Sequence, residues 1–137
     1  MIKKNENNPE SKHSILVVED EAVNQIAMKA ILRNKYEVYI ASTAKEAREI
    51  LKQNKIDLIL MDISLKGEEN GLELTTELKK NNSYKELPII IVTAHAFEVD
   101  KNNSLEAGAD DYIAKPYNNK ELLKKIEGHL RFNSPIQ

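Results

Sequence analysis

Five short apolar runs alternate along the chain with longer stretches in which apolar residues recur at every third or fourth position. Three of the runs, ILVV, LILM and IIIV, are apolar throughout, which is typical of strands covered on both faces in a parallel sheet. The run YEVYI includes Glu37, which favours a strand at the edge of the sheet. The runs occupy residues 15–18, 36–40, 58–61, 89–92 and 112–114.

The stretches between these runs have the spacing of amphipathic helices. In residues 22–33 the apolar side chains form one stripe, which we expect to face the core. Residues 44–51, 72–78 and 122–130 show the same periodicity, whereas residues 97–107 contain poor helix formers and give the least clear helix. The stripe of the first helix consists of Val23, Ile26, Ala27, Ala30 and Ile31.

Capping residues mark several of the expected helix ends. Ser42 or Thr43 is placed to cap the second helix, and Asn118 is placed to cap the last one. Gly108 stands where the fourth helix should end.

Alternation of strand and helix, repeated five times, predicts an α/β fold with a parallel sheet and right-handed crossovers. In open sheets of this kind, ligands bind beyond the carboxyl ends of the strands. The residues at those ends are therefore the first candidates for a functional site.

The length of 137 residues fits one domain. Residues 1–13 and 132–137 are polar, and we expect them to be flexible tails around a domain that spans residues 14–131. No apolar run approaches the ~20 residues of a membrane span, and the N-terminus lacks the apolar stretch of a signal peptide. These features indicate a soluble, cytoplasmic protein without a membrane partner.

Charge and cysteine content exclude further classes. The net charge is −2, whereas a domain that binds nucleic acid usually has a basic excess, so we expect no direct nucleic acid partner. The chain has no cysteine, which rules out a disulfide framework, a thiolate metal site and a cysteine nucleophile.

Chemically capable residues stand at the ends of four expected strands. Glu19 and Asp20 follow the first run, Asp62 the third, Thr93 the fourth and Lys115 the fifth. Each alone has a plain explanation, such as a charge at a helix N-terminus or a turn residue. Because the carboxyl ends of parallel strands meet at one edge of the sheet, we expect these side chains to converge.

Such a cluster suits phosphoryl chemistry. Carboxylates ~4 Å apart repel by about 4 kcal/mol at an effective dielectric constant near 20, and a divalent cation relieves that repulsion. Oxygen ligands alone suit Mg²⁺. The cation and Lys115 would attract a phosphoryl group, Thr93 would donate a hydrogen bond to it, and an aspartate is a competent acceptor. The residues therefore predict a phosphorylatable aspartate.

Four motifs in this order resemble the receiver domain of two-component response regulators, over roughly residues 14–131. The resemblance implies a flavodoxin-like sheet of five parallel strands in the order 2-1-3-4-5, with helices on both faces. It also implies a cis peptide bond between Lys115 and Pro116. The motifs are VVEDE (residues 17–21), LILMDISL (58–65), IIIVTAHA (89–96) and AGADDYIAKP (107–116).

The resemblance also assigns roles to single residues. It implies that Asp62 is the phosphoacceptor, that Thr93 and Lys115 bind the incoming phosphoryl group, and that Tyr112 acts with Thr93 as a conformational switch. The implied Mg²⁺ ligands are Glu19, Asp20, Asp62 and the backbone carbonyl of Ser64.

Ser64 and His95 lie two positions beyond Asp62 and Thr93, where residues of this family influence hydrolysis of the phosphoryl group. We expect both to modulate its lifetime. A plain alternative for His95 is an exposed imidazole in a loop.

The implied partners are a sensor histidine kinase or a phosphotransfer protein as phosphodonor, and a protein target downstream. We expect no enzymatic activity beyond self-phosphorylation and autodephosphorylation. Because the receiver occupies about 120 residues, we expect output through protein contacts rather than DNA binding. Phe97, Tyr117 and Asn118 are candidates for a partner surface formed by the last two helices and the fifth strand.

The sequence departs from the family pattern in the loop after Asp62. Lys66 replaces a usual proline, Asn70 replaces a usual aspartate, and the loop is about one residue longer than the commonest form. The stretch VEDEAVNQ also resembles receivers attached to hybrid histidine kinases.

Two other functions compete with this interpretation. A receiver-like module that signals without phosphorylation would tend to lose one of the acidic residues, Thr93 or Lys115. A phosphatase of the haloacid dehalogenase type would place an Asp-x-Asp nucleophile after the first strand, where this chain has Glu-Asp-Glu.

Overall fold

The computed structural model describes residues 12–63, 70–94 and 98–132, so the predicted tails fall mainly outside it. Strands and helices alternate as predicted, and no helix within these ranges has the length and apolar character needed to cross a membrane. The elements are β1 (Ser14–Val18), α1 (Ala22–Leu32), β2 (Glu37–Ala41), α2 (Ala44–Gln53), β3 (Leu58–Asp62), α3 (Gly71–Lys79), β4 (Ile89–Thr93), α4 (Glu98–Glu106), β5 (Asp111–Ala114) and α5 (Asn119–Phe132).

The five strands form one parallel sheet in the order β2-β1-β3-β4-β5, which confirms the predicted topology. β2 lies at an edge, as Glu37 indicated. Ile15 of β1 pairs with Val38 of β2 on one side and with Leu58 of β3 on the other. The strand order therefore reverses around β1 and β3, the place where open α/β sheets bind ligands.

Two apolar clusters hold the helices against the sheet. Leu16 and Ile59 belong to the cluster that includes residues of α2 and α3, whereas Ile15 and Leu58 belong to the cluster that includes residues of α1 and α5. Successive side chains of a strand point to opposite faces, so a strand covered on both sides is apolar at every position. This is the origin of the unbroken apolar runs in the sequence.

The predicted helix ends are confirmed. The Thr43 hydroxyl accepts a hydrogen bond of 3.1 Å from the backbone N–H of Glu46 at the start of α2. The Asn118 side chain accepts one of 2.7 Å from the N–H of Glu121 in α5. Gly108 follows α4 with φ of 98°, a conformation that favours glycine because a Cβ would be strained there.

The prediction for the buried face of α1 is wrong. Met28 and Leu32 are its buried residues, whereas Val23 is 76% and Ile26 70% exposed. Of the predicted stripe only Ile31 is partly buried, and its exposed members are Val23, Ile26, Ala27 and Ala30.

Polar residues explain this orientation of α1. Asn24 and Gln25 are half-buried and lie one turn before Met28 on its inner side. Their amide groups hydrogen-bond to Glu19, which follows β1. The inner row of α1 therefore joins polar contacts at its N-terminus to apolar packing at its C-terminus, and the second apolar row is left outside.

An ionic contact attaches α5 to β5. The two carboxylate oxygens of Asp111 lie 3.2 Å from Nζ of Lys125 and 3.0 Å from Nε2 of His129, and the N–H of Tyr112 donates to the same side chain at 2.8 Å. Burial alone would raise the pKa of Asp111, but these hydrogen bonds, that from His129 first, outweigh burial and lower it. This role of His129 could not be predicted from the sequence, because its partner Asp111 lies on a different element.

We expect Asp111→Asn to lower the free energy of unfolding near pH 7 by about 1 kcal/mol, because a partly exposed charged hydrogen-bond network is lost. A carboxyl whose pKa is lowered on folding stabilises the protein above its unfolded pKa, and this contribution disappears as pH falls through its folded pKa. Urea denaturation at neutral and strongly acidic pH measures the difference. Glu49→Gln, an exposed change on α2, is the control; an equal loss at both pH values would contradict the prediction.

Candidate functional site

The structure places every predicted strand-end residue at the carboxyl edge of the sheet. Glu19 and Asp20 follow β1, Asp62 and Thr93 are the last residues of β3 and β4, and Lys115 follows β5. Glu19, Asp62 and Thr93 are buried. Lys115 and Asp20 are partly exposed, so the site opens to solvent at one side.

Lys115 bridges two carboxylates from different strands. Its Nζ lies 3.4 Å from Oε1 of Glu19 and 3.6 Å from Oδ2 of Asp62. One carboxylate oxygen from each of Glu19, Asp20 and Asp62 lies within 4.8 Å of the others. Two carboxylates at that separation repel by about 3.5 kcal/mol at an effective dielectric constant of 20. The single positive charge of Lys115 does not offset the negative charges of three carboxylates.

Burial and the neighbouring charges shift the pKa values of both Glu19 and Lys115. Burial raises the pKa of Glu19, and the neighbouring charge of Asp62 adds to the rise, against the hydrogen bond from the N–H of Glu21 and the charge of Lys115. Burial alone would lower the pKa of Lys115, but the carboxylates of Asp62 and Glu19 outweigh burial and raise it. The lysine is therefore fully charged at neutral pH, and the pocket retains an excess of negative charge.

The donor set fits a small divalent cation. All three groups offer oxygen, the ligand type that Mg²⁺ prefers, and few protein ligands leave positions for water. Octahedral coordination at about 2.1 Å places ligand oxygens about 3–4 Å apart, which requires only a small contraction from the observed spacing. Two positive charges would also offset both the loss of solvation at the buried Glu19 and its repulsion from Asp62.

The start of α3 presses against the backbone of Asp62. A Cβ at Gly71 would clash with the carbonyl oxygen of Asp62 and would lie 2.9 Å from Cα of Ile63. Asn70 caps α3 through reciprocal hydrogen bonds with Glu73, of 2.9 and 3.0 Å. Asn70, which departs from the family pattern, therefore holds the helix end that contacts the central aspartate.

The segment around Lys115 is held to the neighbouring strand. The backbone N–H of Lys115 donates to the carbonyl of Thr93 at 2.6 Å, and the Lys115–Pro116 bond is cis, as predicted. Tyr117 does not lie on the surface predicted for it. Its hydroxyl is 3.7 Å from Sδ of Met28, so Tyr117 packs against α1.

Tyr112 and Thr93 lie on neighbouring strands and on the same face of the sheet. Tyr112 pairs with Ile91, and Thr93 pairs with Ala114. Tyr112 is half-buried against the apolar cluster that contains Ile91. This arrangement provides the proximity that the predicted switch requires.

Ser64, His95 and Phe97 lie outside the described residues, as do residues 66–69 of the unusual loop. Asn118 is exposed but is occupied in capping α5. Two further residues, not predicted from the sequence, contact the backbone on either side of the pocket: Gly71 and Gln25. The Asn-Gly pair at the start of α3 is the sequence feature that could have indicated a special role for Gly71.

The sheet topology and the acidic pocket agree with a match to a known protein family. The model of the response regulator receiver domain family matches residues 15–127. The chain therefore belongs to the receiver domains of two-component response regulators, a family of signalling phosphoacceptors.

Individual relatives agree with the family assignment. The phosphate regulon transcriptional regulatory protein PhoB of Pseudomonas aeruginosa is 37% identical over 123 residues. These cover 89% of this chain and 53% of that protein, so the chain spans about half the length of this relative.

Two solved structures are similar over nearly their full length. The receiver domain of sensor histidine kinase PA1611 from Pseudomonas aeruginosa PAO1, with a magnesium ion coordinated in its active site cleft, has a TM-score of 0.81 and 34% identity. The match covers 88% of this chain and 99% of that one. A CheY-like receiver domain protein from Methanospirillum hungatei JF-1 has a TM-score of 0.80 and 36% identity, with coverage of 89% and 96%.

We expect Gly71→Ala to lower the free energy of unfolding by about 1–3 kcal/mol, because the added methyl group displaces backbone next to Asp62. The same displacement should weaken Mg²⁺ binding. Urea denaturation and calorimetric titration with Mg²⁺ measure the two effects. Gly128→Ala on α5 is the matched control, since a Cβ there meets no atom within 4 Å. If the Gly71→Ala variant has the same free energy of unfolding as the Gly128→Ala variant, the close approach of α3 to the backbone of Asp62 is contradicted.

Proposed function

We propose that Asp62 is the phosphoacceptor of this receiver. A carboxylate oxygen of Asp62 attacks the phosphorus of a phosphohistidine on a sensor histidine kinase or phosphotransfer protein. The phosphorus–nitrogen bond breaks, the new phosphorus–oxygen bond forms, and the imidazole leaves with the electron pair. The observation that carries this proposal is the ammonium of Lys115, 3.6 Å from Asp62 at the open edge of the sheet.

The surrounding side chains would neutralise the transferred group. Lys115 is placed to pair with one phosphoryl oxygen, and the hydroxyl of Thr93 would donate to another. Phosphoryl transfer depends mainly on such positioning and charge stabilisation. The receiver would then accept and lose only its own phosphoryl group, without turnover of another substrate.

We propose that Glu19, Asp20 and Asp62 hold Mg²⁺, with the backbone carbonyl of Ser64 as a further ligand by analogy with the family. Bound Mg²⁺ would supply positive charge that draws the phosphoryl oxygens towards the acceptor. The magnesium-bound receiver of PA1611 supports this assignment at 34% identity. By the same analogy we assign Ser64 and His95 to control of phosphoryl lifetime.

Signal output would follow from the charge added at Asp62. The phosphoryl group would carry about −1.5 to −2 at neutral pH, in place of the single negative charge of the carboxylate. Thr93 would move to bond the new group and Tyr112 would turn into the space vacated, shifting the population between two packed states. We assign the output to altered contacts with a protein target, and we place the exchange in the cytoplasm, where ATP supplies the kinase.

We expect incubation with acetyl phosphate and Mg²⁺ to add one phosphoryl group to the protein, as measured by intact mass. Asp62→Asn should abolish the gain, and Lys115→Ala should slow it by about 10²-fold or more, as loss of a charge-stabilising group does. Glu49→Gln is the control.

Two results would contradict the proposal. No mass gain in the folded wild-type protein would indicate a module that signals without phosphorylation. Continuous turnover of acetyl phosphate in large excess over protein would indicate a phosphatase.

The outer row of α1 is the surface we assign to the phosphodonor. Val23 and Ile26 are 76% and 70% exposed, and with Leu105 they are the exposed large apolar residues of the described chain. A cavity of about 360 Å³ adjoins this helix, lined by Glu19 and Lys115 of the pocket and by apolar residues of α1. An apolar surface next to the reacting groups suits a partner helix that carries the phosphohistidine.

We expect Ile26→Ser to slow phosphotransfer from a phosphorylated histidine kinase by about 10-fold or more, because an apolar anchor is lost from the interface. Phosphorylation by acetyl phosphate should not change, since that donor needs no docking. Radiolabel transfer from whichever kinase labels the wild type fastest provides the measurement. Leu105→Ser, the same class of change on α4, is the control; equal slowing by both variants would exclude a specific role for α1.

A further inference from the structure

Gln25 uses both hydrogens of its side-chain amide to connect two loops. Its Nε2 donates to the backbone carbonyl of Glu19 at 2.6 Å and to Oγ of Ser42 at 3.0 Å. The side chain is half-buried on the inner row of α1. Gln25 touches neither Asp62 nor Lys115 through any of its described hydrogen bonds, so its effect on the pocket passes through the backbone.

The backbone of Glu19 is restrained on both of its polar groups. Its N–H donates to the carbonyl of Ala41, the last residue of β2, at 2.9 Å. Its carbonyl accepts from Gln25. These two bonds hold the peptide groups on both sides of the Glu19 Cα, and the second of these groups joins Glu19 to Asp20. The two carboxylates that follow β1 therefore take their positions from these bonds.

The second contact of Gln25 reaches the cap of α2. The backbone N–H of Ser42 donates to Oε1 of Glu46 at 2.6 Å, and the N–H of Glu46 donates to Oγ1 of Thr43 at 3.1 Å. The start of α2 thus restrains the backbone of Ser42. The hydroxyl of Ser42 is therefore a well-positioned acceptor for the amide of Gln25. The chain of bonds runs from α2 through Gln25 to the acidic loop.

We propose that Gln25 is a positioning residue for cation binding, which fixes the loop of Glu19 and Asp20 against the repulsion from Asp62. This inference rests on the proposed function, because it assumes that these carboxylates hold Mg²⁺. Without the restraint, the two acidic residues of the loop move away from Asp62, and Mg²⁺ must draw them together again. We therefore expect a variant without this restraint to bind Mg²⁺ more weakly. Its rate of phosphorylation should recover at high Mg²⁺.

The test replaces Gln25 by methionine, which keeps the length of the side chain and removes both donors. We expect the Kd for Mg²⁺, measured calorimetrically without any phosphodonor, to rise roughly 5–10-fold, as for loss of a contact that supports a metal ligand. The rate of phosphorylation by acetyl phosphate should fall at low Mg²⁺ and recover at saturating Mg²⁺. A purely structural role would lower thermal stability and leave the Mg²⁺ affinity unchanged.

Ser42→Ala provides a milder variant, since it removes only the anchor of Gln25. We expect it to raise the Kd for Mg²⁺ by a smaller factor in the same direction. The double variant of Gln25→Met and Ser42→Ala should bind Mg²⁺ no more weakly than Gln25→Met alone, because both changes interrupt one chain of bonds. Gln53→Met, the same substitution at an exposed position of α2, is the control.

The outcomes separate this inference from the proposed function. If the wild type binds Mg²⁺ and is phosphorylated while Gln25→Met and Ser42→Ala bind Mg²⁺ within twofold of it, the positioning role is wrong and the proposed function stands. Independent, additive effects of the two changes would also overturn the role. A wild-type protein that does not bind Mg²⁺ would overturn both.

Discussion

Repulsion between carboxylates at the carboxyl edge of the sheet is the constraint around which the other features of the site are arranged. Parallel strands bring Glu19, Asp20 and Asp62 within 4.8 Å of one another, at a place where two of the three are buried. Lys115, which follows β5, offsets part of this charge, while burial first, and then the charge of Asp62, raise the pKa of Glu19. A divalent cation would relieve this repulsion, which is why the pocket is proposed above to hold Mg²⁺.

The strands and the site could be predicted from the sequence, because they depend on the periodicity of apolar residues and on the residues at strand ends. Apolar runs, three of them unbroken, predict the strands, and the residues after four of the five runs predict the site. The sequence was not sufficient for α1, where two apolar rows compete for the core. Hydrogen bonds from Asn24 and Gln25 to the loop after β1 decide which row is buried, and such contacts between distant loops leave no periodic signal.

The contacts missed from the sequence act through the backbone. Gly71 matters because of the space it leaves beside the carbonyl of Asp62, and Gln25 because of the carbonyl of Glu19 that it bonds. The type of a residue shows which chemical groups its own side chain carries. It does not show which backbone groups of distant residues that side chain will contact in the fold. The acidic pocket was therefore predictable in composition, while its supports became apparent only in three dimensions.

On the functions proposed above, the two rows of α1 separate partner recognition from cation binding within a single helix. The inner row bonds to the acidic loop, whereas Val23 and Ile26 project outward and take no part in those bonds. After gene duplication, copies of this protein could therefore diverge along the outer row without disturbing the loop of Glu19 and Asp20. With the phosphodonor docked on the outer row, as proposed, a few surface substitutions would insulate separate signalling lines within one cell, while every copy would keep the same acidic pocket.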